Sequence, residues 1–215
     1  MRVAIIVIYG SAARLDPITQ LEVTMKRIIA VILVFSFATL WAGDYSYMGV
    51  DNCKMCHKKA EKGDQFGVWS MRDHAKAFET LKSEESAAIA KEKGLEGPAY
   101  EAGECLVCHT TGWGKDKGYE VLSAEFIENP DNARAVKKNN SKANVGCESC
   151  HGPGSGYKSK TTMEGIRNGE IEAASVGLWA PTAEVCTTCH NEKSPTYKEF
   201  KFEEKVAQIT HPYPE

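Results

Sequence analysis

A five-residue pattern, Cys-x-x-Cys-His, occurs four times in this chain and constrains its fold more than any other feature. All eight cysteines of the chain fall inside the four copies. Two thiols three residues apart can form thioethers with the two vinyl groups of a haem, and the histidine that follows can ligate the haem iron. The sequence therefore predicts four covalently attached haem c groups. The predicted attachment residues are Cys53, Cys56, Cys105, Cys108, Cys147, Cys150, Cys186 and Cys189, and the predicted proximal iron ligands are His57, His109, His151 and His190.

Two other kinds of site use closely spaced cysteines. Zinc sites combine paired cysteines with histidine, and a disulfide framework uses an even number of cysteines. Neither explains why a histidine follows directly after the second cysteine in every copy. Haem attachment explains both cysteines, their spacing and the histidine, and a visible spectrum separates the three alternatives.

The predicted haems decide the fold class. If the mature chain begins near Gly43, each haem has only about 43 residues to cover it. Much of the interior must then be porphyrin, and a large aliphatic core is not expected. We predict a single tetrahaem cytochrome c domain over residues 43–215, mainly α with extensive loops and little or no β structure. Without haem this domain should barely fold.

The N-terminal region predicts export. Residues 25–42 begin with Met25, Lys26 and Arg27 and continue with the short apolar run 28–38, which is typical of a secretory signal peptide. Cleavage after Ala38 or after Ala42 fits the preference for small residues. Residues 1–24 are interpreted as an upstream extension from an early start codon. An uncleaved anchor is the alternative, although the apolar run is short for a bilayer span.

Charge indicates the kind of partner. Residues 1–42 contain four Lys or Arg and two acidic residues, which leaves 22 basic and 27 acidic residues and a net charge of −5 for the mature chain. The haem propionates add further negative charge. Nucleic acid is therefore an unsuitable partner. We expect electron-donor and electron-acceptor proteins with basic docking faces, a salt-sensitive encounter and periplasmic or otherwise exported localisation.

Two histidines lie outside the four motifs. His74 shares a helical spacing with Ala77, Phe78 and Leu81, which predicts a helix from about Phe66 to Lys93 with His74 on its buried face. His211 follows a predicted terminal helix and precedes a proline, and that helix should end before it. Both are predicted distal iron ligands.

Shorter segments give further local predictions. The polar run Lys137–Lys142 is expected to be a solvated loop, and Ser194-Pro195 is typical of a helix start. The residues around Met163 and Ile166 form a weakly amphipathic segment. Gly152-Pro153-Gly154-Ser155-Gly156 predicts a tight turn behind the third motif, where the backbone can approach the haem closely.

Counting histidines limits the iron ligation. Six histidines minus four proximal ligands leave two, so at most two of the four haems can have two histidine ligands. The other two irons must be five-coordinate or bound by a different side chain. The sequence offers thioether, amine and phenolate alternatives, namely Met163, Met71, Met48, Lys160 and Tyr157.

Three stretches of the chain resemble the tetrahaem cytochrome c-554 family. They are the run from Trp69 through His74 to Ala77, the run Val145–Gly154 around the third motif, and the run Cys186–Pro195 with the later His211-Pro212. The similarity covers roughly residues 48–214, and the third motif is its most diagnostic part. Well-known members of that family carry electrons away from hydroxylamine oxidation in ammonia-oxidising bacteria.

The resemblance implies a ligand set. It implies stacked haem pairs, with His74 as the distal ligand of the third haem (proximal His151) and His211 as that of the fourth (proximal His190). It also implies that the second haem, at His109, has no sixth protein ligand. Relatives usually place a histidine shortly after the Gly-Pro-Gly turn to cap the first haem, whereas residues 155–163 of this chain contain none.

Three functions are compatible with these features. The leading hypothesis is an electron carrier that passes electrons between periplasmic redox partners. The second is an enzyme that reduces nitric oxide, hydroxylamine or a similar nitrogen species at an open five-coordinate haem. The third is a subunit of an extracellular haem filament. No catalytic proton donor can be assigned from the sequence.

Overall fold

The fold consists of short helices joined by turns, in a computed structural model that describes residues 44–213. Within that range there are eleven α-helices and no β-strand, which confirms the predicted mainly helical class. The helices are α1 Val50–His57, α2 Gln65–Ser70, α3 Ala77–Thr80, α4 Glu84–Glu92, α5 Gly103–His109, α6 Ala124–Glu128, α7 Ala133–Asn140, α8 Cys147–His151, α9 Lys160–Arg167, α10 Ala183–Thr187 and α11 Phe202–Ile209. Four single 3₁₀ turns lie between them, at Ala60–Lys62, Asp73–Lys76, Pro130–Asn132 and Ala173–Val176.

Local sequence explains where several helices begin. Ser83, Ser123 and Ser159 precede α4, α6 and α9, and each side chain accepts a hydrogen bond from the backbone N–H three residues later. Such caps satisfy N–H groups that have no partner inside the helix. Left-handed glycines follow α4, and they end the helix near Lys93 as predicted.

The hydrophobic core is small and lies around the second motif. Its buried members are Phe78, Leu81, Ala90, Ala99, Leu106 and Tyr119. Leu106, between the two cysteines of that motif, is completely buried, and the Phe78 and Tyr119 rings pack with centroids 5.3 Å apart. Full burial of one such side chain stabilises the fold by about 1.5–3 kcal/mol. The core therefore fixes α5 and its haem-attachment residues against α3 and α4.

The predicted continuous helix from Phe66 to Lys93 is wrong. The chain instead forms α2, a 3₁₀ turn, α3 and α4, with extended backbone at Arg72. The loop before the third motif explains the break, because Val145 bonds the chain on both sides of it. Its carbonyl accepts from the Trp69 indole N–H at 2.9 Å, and its N–H donates to the His74 carbonyl at 3.2 Å. Helical periodicity depends on neighbouring residues and does not predict these long-range hydrogen bonds.

Two further local predictions are also wrong, and one is confirmed. Most of the Lys137–Lys142 run lies in α7, and the buried Lys142 ammonium donates to the carbonyls of Lys117 and Gly118. Ser194 opens a turn rather than a helix, since the next helix starts at Phe202. The terminal helix α11 ends at Ile209, before His211 and Pro212, as predicted.

Residues 44–213 belong to one compact unit. No helix in this range is both long enough and apolar enough to cross a membrane. The predicted extension at 1–24 and the signal peptide at 25–42 lie outside the described residues.

Candidate haem-binding site

Helical geometry explains how each motif presents its three functional side chains. Residues i, i+3 and i+4 of a helix share one face, so both cysteines and the histidine of a motif point the same way. The first three motifs lie entirely in α1, α5 and α8. The fourth begins in α10, and its Cys189 and His190 follow in the turn after that helix. All eight cysteines are free of disulfides, so the disulfide alternative does not describe this structure.

The structure brings the four motifs together in a definite order. The Cys53 and Cys147 thiols of the first and third motifs lie close to each other, and their interaction is the largest cause of a raised pKa at Cys53 and a lowered one at Cys147. The Cys108 and Cys189 thiols of the second and fourth motifs interact in the same way, which lowers the pKa of Cys189 to about 6.

The third and fourth motifs are also neighbours. Burial raises the pKa of Cys150 to about 11, and the nearby Cys186 and Cys189 thiols add to that rise. The spatial order of the motifs is therefore first, third, fourth, second. Neighbours in sequence are not neighbours in space, except for the third and fourth motifs.

Three motif histidines are held by hydrogen bonds at Nδ1. The partners are the Gln65 side-chain oxygen at 3.2 Å for His57, the Ala77 carbonyl at 2.6 Å for His109 and the Trp179 carbonyl at 3.3 Å for His151. An oxygen acceptor keeps the proton on Nδ1 and leaves the lone pair of Nε2 free. This is the tautomer that a metal-ligating histidine requires. The fourth, His190, stacks on Phe200 with ring centroids 4.8 Å apart.

Each spare histidine lies beside a motif histidine, but the pairing is exchanged relative to the one implied by the family resemblance. The His74 ring is 5.9 Å from that of His190, and the His211 ring is 5.9 Å from that of His151. One hydrogen bond ties the C-terminal segment to the residue that holds His57. The Gln65 side chain, which holds His57, also donates to the Pro212 carbonyl at 2.9 Å and so keeps the His211 segment on the side of the first and third motifs.

The donor set fits a porphyrin iron. With metal–nitrogen bonds of about 2 Å, two imidazoles on opposite sides of one iron have centroids roughly 6 Å apart, which matches both histidine pairs. Burial lowers the pKa of His74, His151 and His190, so these rings are neutral and can donate a lone pair. The buried Nδ1 of His211 has no hydrogen-bond partner. When bound, haem c supplies an iron that accepts and releases one electron at a time.

Zinc fits the same residues less well. A structural zinc ion requires four protein ligands around one point. Among residues 44–213, no group of three or more Cys, His, Asp or Glu side chains is arranged to hold a metal ion. A haem iron receives four nitrogens from its own ring and needs only one or two ligands from the protein, as these residues provide.

Two of the proposed substitute iron ligands, Tyr157 and Lys160, have other partners in the structure. The Tyr157 hydroxyl donates to the Gly152 carbonyl at 2.6 Å, and burial, with Glu148 nearby, raises its pKa above the ordinary value. Tyr157 is thus a neutral phenol and not the phenolate that would ligate an iron. The Lys160 ammonium lies 3.5 Å from Glu164 on the exposed face of α9.

Sequence analysis missed Glu148, which lies between the cysteines of the third motif. Its side chain is only 2% exposed, and its carboxylate accepts from the backbone N–H groups of Met48 at 2.8 Å, Gly49 at 2.7 Å and Gly154 at 2.6 Å. Glu148 therefore joins the segment before the first motif to the turn behind the third. An acidic residue between two attachment cysteines and close to a glycine turn was the available signal.

The turn behind the third motif approaches another part of the chain. Gly152 has φ +80°, and a Cβ there would lie 2.6 Å from the Gly177 carbonyl oxygen and 2.8 Å from the Trp179 ring. Only glycine fits this close packing. The predicted turn is present, and it packs on the segment that holds His151.

Comparisons with known proteins indicate the family of this chain. Residues 52–152 match the family model described as cytochrome c554 and c-prime. The chain is similar to cytochrome c-554 of Nitrosomonas europaea, with 30% identity over 181 residues that cover 80% of this chain and 68% of the relative. It is also similar to the solved structure of reduced cytochrome c554 from the same organism, with a TM-score of 0.53, 27% identity, and coverage of 76% of this chain and 83% of that one.

The motifs, their helical setting and both similarities lead to one assignment. The chain belongs to the cytochrome c554 family and is a multihaem c-type cytochrome of electron transfer, with covalently bound haem c.

Proposed function

We propose that this chain is an exported tetrahaem cytochrome that carries electrons between periplasmic redox partners through closely spaced haems. The observation that carries the proposal is the contact order of the attachment cysteines. Cys53 lies close to Cys147, Cys150 lies near Cys186, and Cys189 lies close to Cys108. A haem on each motif then has a neighbour within a short distance.

We infer an electron path from this order of the motifs. Electrons would pass between the first and third haems, then to the fourth, and then to the second. The first and second haems stand at the two ends of this path and are the natural exchange points for donor and acceptor. The first with the third, and the second with the fourth, would form the two stacked pairs.

The histidine pairs support relay roles for the two inner haems. We assign His151 and His211 to the third iron and His190 and His74 to the fourth. An iron with two histidine ligands has no free position for a substrate and exchanges only electrons. The protein sets its potential through the axial ligands, their hydrogen bonds and burial.

The acidic mature chain supports partners with basic docking faces. Its net charge is −5 before the haem propionates are counted. Opposite charges accelerate encounter, and added salt screens the attraction over about 10 Å at 0.1 M ionic strength.

The decisive experiment is to purify the exported protein, count its haems as pyridine haemochrome and titrate its redox potential. We expect four haems per chain, release of residues 1–42 or a shorter leader, and four one-electron steps. The electron-transfer rate to a basic cytochrome partner should fall as salt is added, whereas an acidic partner serves as the control. Fewer than four haems, or retention of the protein in the cytoplasm, would overturn the proposal.

A further inference from the structure

We propose that two of the four irons, at His57 and at His109, have an open sixth position, and that both bind small neutral diatomic ligands such as carbon monoxide or nitric oxide when ferrous. This inference rests on the proposed attachment of four haems. It adds an open iron at the first haem to the one that the family resemblance implies at the second.

The histidine arrangement supplies the first step. The chain contains six histidines, and all of them lie within residues 44–213. The two ring pairs, His74 with His190 and His151 with His211, use four of them. His57 and His109 remain, and each is a motif histidine already oriented through Nδ1 by Gln65 or Ala77. No histidine is left to occupy the opposite side of either iron.

The side chains after the Gly-Pro-Gly turn supply the second step. The Tyr157 hydroxyl donates to the Gly152 carbonyl. If Tyr157 turned towards an iron, this buried carbonyl would lose its hydrogen-bond donor. The Lys160 ammonium is exposed on α9 and lies 3.5 Å from the Glu164 carboxylate, and an ammonium has no lone pair for iron.

In this proposal, each of the two open haems lies beside a haem with two histidine ligands. Through the Cys53–Cys147 contact, the first haem lies beside the third, which has two histidines. Through the Cys108–Cys189 contact, the second haem lies beside the fourth, which also has two. Each pair would combine one iron that binds a ligand with one iron that only relays electrons. A ligand bound at either end of the molecule then has an adjacent electron reservoir.

The test is a carbon monoxide titration of the dithionite-reduced holoprotein, with haem counted independently as pyridine haemochrome. Four haems and an uptake of two equivalents per chain are expected. Electron paramagnetic resonance of the oxidised protein should show half of the iron as high-spin. Four haems with an uptake of one or none would overturn the inference while leaving the electron-carrier proposal intact. A count below four haems would instead contradict that proposal.

Variants identify which groups limit the uptake. His211→Ala should raise carbon monoxide uptake from two equivalents to three, because it uncaps the third iron. An unchanged uptake in this variant would contradict the ligand assignment. Met48→Leu and Met163→Leu should each leave the uptake at two. If the native chain takes up one equivalent and either methionine variant takes up two, that thioether caps the first iron and the inference is wrong.

Discussion

At the scale of single residues, the buried carboxylate of Glu148 connects two segments that sequence places about a hundred residues apart. Three backbone N–H groups donate to it, from Met48, Gly49 and Gly154. In Glu148→Gln, one oxygen becomes an NH₂ group that faces some of these donors, and an unsatisfied buried donor costs about 1–3 kcal/mol. We expect a loss of about 2 kcal/mol in the free energy of unfolding, measured on the holoprotein by urea titration followed by far-UV circular dichroism.

Glu164→Gln is the matched control for this prediction. Glu164 is exposed on α9 and pairs only with Lys160 among its described contacts, and exposed ion pairs contribute about 0–1 kcal/mol. The control should stay within about 0.5 kcal/mol of the native protein. Equal losses in the two variants would show that Glu148 does not clamp the two segments.

Gln65 is the second residue that connects distant segments, because its side chain accepts a hydrogen bond from His57 and donates one to the Pro212 carbonyl. A carboxylate in its place, Gln65→Glu, draws the Nδ1 proton of His57 more strongly and makes the imidazole a better donor, which favours ferric iron. Each tenfold increase in the equilibrium ratio of ferric to ferrous iron lowers the one-electron reduction potential by about 59 mV. We expect one of the four haem potentials to fall by about this amount in a spectroelectrochemical titration.

The control for this prediction carries the same charge change at an exposed position. Gln208→Glu adds a carboxylate on the surface of α11. If both variants shift the potentials equally, the effect is long-range electrostatics, and Gln65 has no special role towards His57.

At the scale of helices, α7 shows how a polar segment is held in place. The Asn139 side chain accepts from the Glu120 N–H at 3.0 Å and donates to the Glu120 carbonyl at 2.8 Å, as a neighbouring backbone would. Asn139→Ala removes both bonds from a buried position and should cost about 1–3 kcal/mol of unfolding free energy. The adjacent Asn140 is exposed, so Asn140→Ala should change the urea midpoint little. A similar shift in both variants would mean that helix propensity, and not the clamp, sets the stability.

Helices also show what sequence can and cannot predict here. Local signals predicted α11 and the end of α4 near Lys93, since both depend on neighbouring residues. The break near Arg72 was missed because it depends on Val145, which is over seventy residues away. The helix around Asn139 was missed for the same reason, because its polar residues are satisfied by a distant loop and not by water.

At the scale of the whole molecule, the pairing of motifs was the hardest feature to predict. The pentapeptides are local, and so the sequence alone predicts their cysteines and histidines as haem-binding residues. Which spare histidine meets which motif histidine depends instead on the path of the chain. The Gln65–Pro212 hydrogen bond holds the C-terminal segment near the first motif, and His74 lies beside His190. The helical periodicity of the sequence does not predict such a long-range contact.

The small core leads to a prediction about the molecule without its haems. Among residues 44–213 the buried hydrophobic side chains are few, and most of them surround the second motif. A domain of this length normally needs a far larger apolar interior to offset its loss of conformational entropy. A variant with all eight attachment cysteines replaced by serine would be exported but carry no covalent haem. We expect its far-UV circular dichroism to lose most of the helical signal and its urea titration to lack a cooperative transition. Native-like helix content with a cooperative transition would show instead that the protein chain alone specifies this fold.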